Sequence, residues 1–182
     1  KIMNLGFAYL ASQPLVELVD PVLANLSQKL GQSTSVSVLD GTDVVYIARQ
    51  ETTSIMRINI TVGTRFPAYA TSMGRVLLAG LSNDELDTYF GDADLTEVTD
   101  RTITDEAALR TELARIRAQG YAVVEEELEV GLASVAVPIR NRAGTTVAAM
   151  NTSVAVTTQA PEDLTEFLAP LQAAAAEVSN AL

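Results

Sequence analysis

The chain contains no cysteine and no histidine among its 182 residues. Without cysteine it can form neither a disulfide bond nor a thiol nucleophile, and this fits a cytoplasmic protein. Histidine is the commonest general base and the commonest metal ligand, so its absence excludes Ser–His, Cys–His and zinc chemistry within this chain. We therefore predict a protein that is not an enzyme and that holds neither a cofactor nor a metal ion.

Long apolar runs and positive charges are also scarce. No apolar run approaches the ~20 residues that a membrane-spanning helix needs. The chain has 12 lysines and arginines against 23 aspartates and glutamates, which gives a net charge of −11. A surface of this sign repels phosphate backbones and anionic membranes. We expect this chain to bind neither nucleic acid nor membrane itself, and its acidic balance suits a sensing or oligomerising module.

The hydrophobic pattern predicts an α+β domain. A helix is expected from Pro14 to the stop at Gly31, and Pro21 leaves open whether it is one kinked helix or two. Asp40-Gly41 predicts a hairpin with a type I′ turn. Further strands are expected at 54–60, 121–126, 133–139 and 145–154, and further helices after Thr71, Ser82, Thr104 and Pro161. The expected form is one antiparallel sheet of about six strands with helices on its faces.

The stretch 62–80 is the most informative part of the sequence. Thr71 stands where a helix N-cap belongs, and the small residues after it leave backbone N–H groups pointing outward. Free amides and the helix dipole both attract anions, so Ser72 and Met73 are candidate anion-binding residues. The alternative is an ordinary capped helix whose spare amides bind water.

Two other polar clusters are candidates for the same pocket. Ser134 follows a turn at Gly131, and Asn151 and Ser153 share one face of a strand. Together with the helix start, they would supply hydroxyls, an amide and N–H groups without a catalytic base, which suits a small carboxylate. The alternative is that these side chains only bond neighbouring backbone at the strand ends.

Charged residues near these clusters allow two interpretations. Glu125, Glu126 and Glu127, with Glu129, could act as acid and base or bind a hard cation, but alternating strand faces separate them. We therefore favour a solvated strand end. Arg57 and Arg65 could balance a ligand carboxylate or pair with surface acids.

Two motifs resemble the effector-binding domain of IclR-type transcriptional regulators: GTRFPAYATSMGRVLLA at 63–79 and GYAVVEEELEVGLASVAVPIRNRAGTTVAAMNTS at 120–153. The sequence LDGTDVVYIAR at 39–49 is similar to that of the family branch whose members regulate protocatechuate and 4-hydroxybenzoate catabolism. The resemblance implies a GAF-like domain at 13–182, with 1–12 as the end of a linker helix from a missing N-terminal winged helix-turn-helix domain. It further implies a homodimer or homotetramer that binds a small organic acid, and binds operator DNA only through the missing domain.

The resemblance also assigns ligand contacts by position. Polar contacts fall on the backbone amides of Ser72 and Met73 and on the side chains of Ser134, Asn151 and Ser153, and apolar walls fall on Ile55, Ile58, Phe66 and Leu132. Val124 stands where the family often has a ligand-binding aspartate. The loss of that carboxylate favours a larger or aromatic acid over a two-carbon acid.

Two rival functions remain. One is a structural oligomerisation domain whose vestigial pocket is filled by Phe66 and Met73. The other is a small enzyme that processes a carboxylate with Glu125 or Glu127 as its base.

Overall fold

The computed structural model describes the backbone of residues 2–52, 59–156 and 164–182, and side chains from residue 13 onward. Five α-helices lie in this part of the chain: α1 (Ile2–Leu30), α2 (Ser72–Ala79), α3 (Asn83–Asp92), α4 (Glu106–Gln119) and α5 (Leu168–Ala181). Six strands accompany them: β1 (Ser33–Asp40), β2 (Asp43–Gln50), β3 (Arg65–Pro67), β4 (Ala122–Glu125), β5 (Leu132–Arg140) and β6 (Thr146–Ala155). Short 3-10 turns precede α2 (Ala68–Ala70) and α5 (Leu164–Phe167).

The strands form one sheet in the order β3-β2-β1-β6-β5-β4, and every neighbouring pair is antiparallel. This confirms the predicted α+β class with a six-stranded antiparallel sheet. Apolar residues on one face of the sheet pack against α1 and α5, and those on the other face pack against α2, α3 and α4. Among the described residues, no helix combines the length and low polarity that crossing a membrane requires.

The first helix differs from its prediction, because α1 contains both Pro14 and Pro21. The expected helix start at Pro14 is therefore wrong, and Pro21 does not divide the helix. A proline inside a helix costs about 3 kcal/mol through a lost hydrogen bond and a steric clash. Val19 and Leu23, on either side of Pro21, are completely buried in the core beneath the sheet, and this burial offsets the cost. The division of the chain at residue 12 stays a prediction.

The hairpin is confirmed, but its turn type was predicted wrongly. Asp40 pairs with Asp43, so Gly41 and Thr42 are the two loop residues. Gly41 has φ +62°, whereas Thr42 is not among the described residues with positive φ. A glycine with positive φ followed by a residue with negative φ is the pattern of a type II′ turn, because type I′ needs positive φ at both positions.

The predicted third strand and the predicted last helix have different boundaries in the structure. Residues 54–58 of the predicted third strand lie outside the described residues, and residues 59 and 60 are not in a strand. The strand that pairs with β2 is the short β3, whose Phe66 lies opposite Val44. The predicted start of the last helix at Pro161 also lies outside the described residues, and α5 itself begins at Leu168 after a 3-10 turn.

Candidate functional site

The start of α2 has the predicted cap. The Thr71 hydroxyl accepts a hydrogen bond from the Gly74 N–H at 2.9 Å. The N–H groups of Ser72 and Met73 belong to the first helical turn, where no intrahelical acceptor exists, and no other acceptor is found for them in the described part of the chain. These donors and the helix dipole give this end of α2 a positive electrostatic potential.

The sheet brings the other predicted polar residues to the same place. Ser134 on β5 lies directly opposite Ser153 on β6, and Asn151 is two residues further along β6. Side chains alternate along a strand, so Asn151 and Ser153 share the face of Ala149, which packs in the core on the α2 side. The hydroxyl oxygens of Ser72 and Ser134 are 2.7 Å apart and join the helix start to the sheet.

A small cavity lies between these elements. Its lining consists of Tyr46, Ile60, Ala70, Thr71, Ser72, Val124, Leu128, Leu132, Ser134, Asn151 and Ser153. Its volume is about 20 Å³, which is room for about one water molecule. An organic ligand must therefore displace part of the wall in order to enter.

Two oxygens at the cavity lack hydrogen-bond partners. Asn151 Oδ1 and Ser153 Oγ are buried, and neither has a partner within the described ranges. Asn151 is 4% exposed and Ser153 is 6% exposed, so bulk solvent does not satisfy them. A buried polar atom without a partner costs about 1–3 kcal/mol. Neither of these two oxygens therefore bonds neighbouring backbone in the described part of the chain.

The predicted site residues separate into three groups. Six of them line the cavity: Ser72, Val124, Leu132, Ser134, Asn151 and Ser153. Met73 and Phe66 do not line it, because the buried Met73 sulfur accepts a hydrogen bond from Ser37 at 3.3 Å and Phe66 packs edge-to-face on Tyr46. Ile55 and Ile58 lie outside the described residues. As ligand contacts, all of these residues stay predictions.

Tyr46 is a lining residue that the sequence analysis missed. It sits in the middle of β2, where its sequence neighbours give only the signal of a buried strand. Burial raises the pKa of Tyr46 to about 12, although nearby Arg49 lowers it slightly. The side chain is therefore an uncharged phenol at neutral pH and can donate a hydrogen bond to an anion.

The raised pKa of Tyr46 predicts a loss of stability in alkali. The unfolded phenol ionises near its ordinary pKa of 10.0, whereas the folded one stays protonated until about 12. Its contribution is therefore complete below pH 10 and is lost as the pH rises towards 12. Between about pH 8 and about pH 11, we expect the wild type to lose about 1 kcal/mol more of its free energy of unfolding than Tyr46→Phe. Urea denaturation at the two pH values measures this, and equal losses in the two proteins would contradict it.

None of the charged candidate residues that the structure describes lines the cavity. Arg65 forms ion pairs with Asp40 at 2.7 Å and with Asp43 at 3.2 Å, beside the turn of the hairpin. The alternative that Arg65 pairs with surface acids is therefore correct. Arg57 lies outside the described residues. Glu125 is exposed as predicted, but the solvated interpretation is wrong for Glu127, which is buried in an ion pair with Arg75. Across the described ranges, no three acidic side chains converge as a metal site would require.

Comparison with known proteins identifies the family. Residues 7–180 match the family model described as the C-terminal domain of the bacterial transcriptional regulator IclR. The Pca regulon regulatory protein of Pseudomonas putida is 41% identical over 176 residues, which are 96% of this chain and 60% of that protein. The chain therefore spans about 60% of the length of that relative.

Solved structures agree with this match. The inducer-binding domain of the PobR transcription factor from Acinetobacter, a double mutant in complex with 3-hydroxybenzoic acid, has a TM-score of 0.81 and 31% identity, and covers 92% of this chain and 98% of that one. An IclR homologue from Microbacterium hydrocarbonoxydans in complex with 4-hydroxybenzoate has a TM-score of 0.83 and 25% identity, and covers 93% and 68%. The chain belongs to the IclR family of bacterial transcriptional regulators and corresponds to its C-terminal domain.

Proposed function

We propose that this domain binds a small aromatic carboxylic acid in the cavity between α2 and the sheet. The observation that carries the proposal is the pair of buried, unpartnered oxygens on Asn151 and Ser153. They line the same cavity as Ser72, where the first N–H groups of α2 lack acceptors in the described part of the chain. Buried polar groups normally have partners, so a ligand explains why these two have none within the described residues. The hydroxybenzoate complexes of the two structural relatives support an aromatic acid.

Each part of such a ligand has a suitable partner in the lining. The carboxylate accepts from the N–H groups at the start of α2, where the helix dipole favours a negative charge. The Asn151 oxygen is an acceptor, so it suits a hydroxyl group on the ligand. Val124, Leu132 and Tyr46 offer apolar contact to the ring.

The cavity suits binding better than catalysis. Its described lining contains no carboxylate, amine or guanidinium group, so no ordinary general base faces the ligand. Glu127, one of the two bases that an enzyme would have used, is held by Arg75, and Glu125 is exposed. The named relatives are also regulators of transcription.

We propose further that ligand binding regulates DNA binding in the full-length protein. The entering acid displaces a wall of the cavity, and this movement favours one arrangement of a homodimer or homotetramer over another. A coupling of about 1–3 kcal/mol is sufficient for such a shift. Operator binding would belong to a separate winged helix-turn-helix domain in the cytoplasm, since this acidic chain repels DNA.

Isothermal titration calorimetry of the domain tests the ligand proposal. The panel consists of protocatechuate, 4-hydroxybenzoate, β-ketoadipate and simple 2-oxo acids. We expect heat from at least one of the two aromatic acids and weaker binding of the 2-oxo acids. An absence of heat from all of them would contradict the proposal and favour the structural oligomerisation domain.

Asn151→Leu is expected to stabilise the empty domain and weaken ligand binding. The leucine has a similar size and removes a buried oxygen without a partner, so the free energy of unfolding should rise by about 1 kcal/mol. The affinity for the bound aromatic acid should fall by about tenfold or more, because the hydrogen bond to the ligand is lost. Urea denaturation and calorimetry measure the two effects.

The matched control is Thr152→Val on the same strand. The Thr152 hydroxyl is buried and donates to the Ser33 carbonyl at 3.1 Å, so its loss should lower stability by about 1 kcal/mol and leave the affinity unchanged. A destabilised Asn151→Leu protein with wild-type affinity would show that Asn151 serves the fold and not a ligand.

A further inference from the structure

A buried ion pair connects α2 to the loop between β4 and β5. Arg75 Nη1 donates to Glu127 Oε2 at 2.7 Å, and Arg75 Nη2 donates to Glu127 Oε1 at 2.6 Å. Arg75 is 1% exposed and Glu127 is 8% exposed. This bidentate geometry, in which two N–H groups bond the two carboxylate oxygens, is the strongest and most directional form of an arginine–carboxylate contact.

The remaining hydrogen-bonding groups of Arg75 and Glu127 bond two further segments of the chain, the 3-10 turn before α2 and the residues before α4. Arg75 Nε donates to the carbonyl of Tyr69 in the 3-10 turn at 2.9 Å. The Ile103 N–H donates to Glu127 Oε1 at 3.0 Å, and the Thr102 hydroxyl donates to the Glu127 carbonyl at 2.7 Å. The pair therefore fixes the positions of α2, the turn before it, the segment before α4 and the β4–β5 loop relative to one another.

These connections reach both walls of the cavity. Arg75 follows Ser72 by three residues, so both lie on the same side of α2. Leu128 comes directly after Glu127, and Ser72 and Leu128 both line the cavity. The loop is compact, since the Glu126 carboxylate accepts from the Gly131 N–H at 2.9 Å and Glu126 has φ +57°.

We propose that Arg75 and Glu127 are positioning residues of the ligand site, holding the Leu128 wall at a fixed distance from the α2 start. The proposal rests on the proposed function. Stability alone does not explain the pair, because apolar residues of similar size usually stabilise a buried position at least as well. Apolar residues cannot supply a directional, bidentate contact, and it is this contact that sets the position of the β4–β5 loop.

The test replaces both partners together, because a single substitution leaves a buried charge without a counterion. In Arg75→Met/Glu127→Leu we expect a folded domain, an affinity for 4-hydroxybenzoate at least about tenfold weaker, and faster hydrogen exchange at the amides of Gly131 and Leu132. Arg75→Lys is the second variant: it keeps a positive charge opposite Glu127 but loses the bidentate contact, and it should change both quantities in the same direction. The matched control is Glu106→Gln/Arg110→Gln, a more exposed ion pair within α4, and it should change neither.

The two readouts separate this proposal from the proposed function. If the folded double variant binds with wild-type affinity, the positioning role is overturned. Should the double variant not fold, wild-type affinity of the Arg75→Lys protein overturns it in the same way. If the wild type binds none of the acids, the proposed function fails, and the exchange rates still decide the role of the pair. Unchanged exchange at Gly131 and Leu132 would then overturn it.

Discussion

Ser134→Leu is expected to abolish binding of the aromatic acid while the domain stays folded. Ser134 lines a cavity with room for about one water molecule, and its hydroxyl lies 2.7 Å from that of Ser72. The leucine adds two heavy atoms to this space and removes the polar link to the helix start. We expect the affinity to fall by about a hundredfold or more, which corresponds to about 3 kcal/mol.

Calorimetry with 4-hydroxybenzoate and protocatechuate measures this loss, and circular dichroism verifies the fold. Ser134→Ala is the matched control, because it removes the same hydroxyl and leaves the space open. Its affinity should fall by no more than about tenfold, which is the value of one hydrogen bond. A folded Ser134→Leu protein with wild-type affinity would place the ligand somewhere else.

Gly74→Ala is expected to destabilise the domain more than alanine at any other glycine whose surroundings the structure describes. A Cβ atom at Gly74 would lie 2.1 Å from the Ala68 carbonyl oxygen and 2.5 Å from the Ala68 Cα. Both are backbone atoms of the 3-10 turn, so no side-chain rotation relieves the clash, and α2 must move away from the turn. We expect a loss of about 3 kcal/mol or more in the free energy of unfolding, together with loss of the cap from Thr71.

Gly91→Ala is the control for this substitution. Gly91 lies in α3, and a Cβ atom there meets nothing within 4 Å. Alanine is the better helix former by up to about 1 kcal/mol, so this variant should be as stable as the wild type or more stable. Urea denaturation of both variants measures the difference, and similar stabilities would contradict the close approach of α2 to the turn.

Features set by neighbouring residues could be predicted from the sequence. The Thr71 cap and the helix starts that follow Ser82 and Thr104 all depend on contacts within a few residues, and all are present. The prediction that Asn151 and Ser153 share one face of a strand is also correct, because side-chain direction along a strand has a period of two.

Features set by contacts between distant residues could not be predicted from local patterns. The partner of Glu127 is 52 residues away on α2, so its three acidic neighbours in sequence suggested a solvated strand end. Tyr46 reaches the cavity from β2 and has the local pattern of any buried strand residue. The path of α1 through Pro21 likewise depends on its packing against the sheet, which outweighs a local signal for a break.

A structure of the domain crystallised with 4-hydroxybenzoate tests the central claim most directly. We predict that the acid occupies an enlarged cavity between α2 and the sheet. Its carboxylate should lie within hydrogen-bond distance of the Ser72 N–H, and Asn151 and Ser153 should bond its remaining polar atoms. Density for the acid at another location, such as the groove between α1 and α5, with both oxygens still unpartnered, would contradict the account.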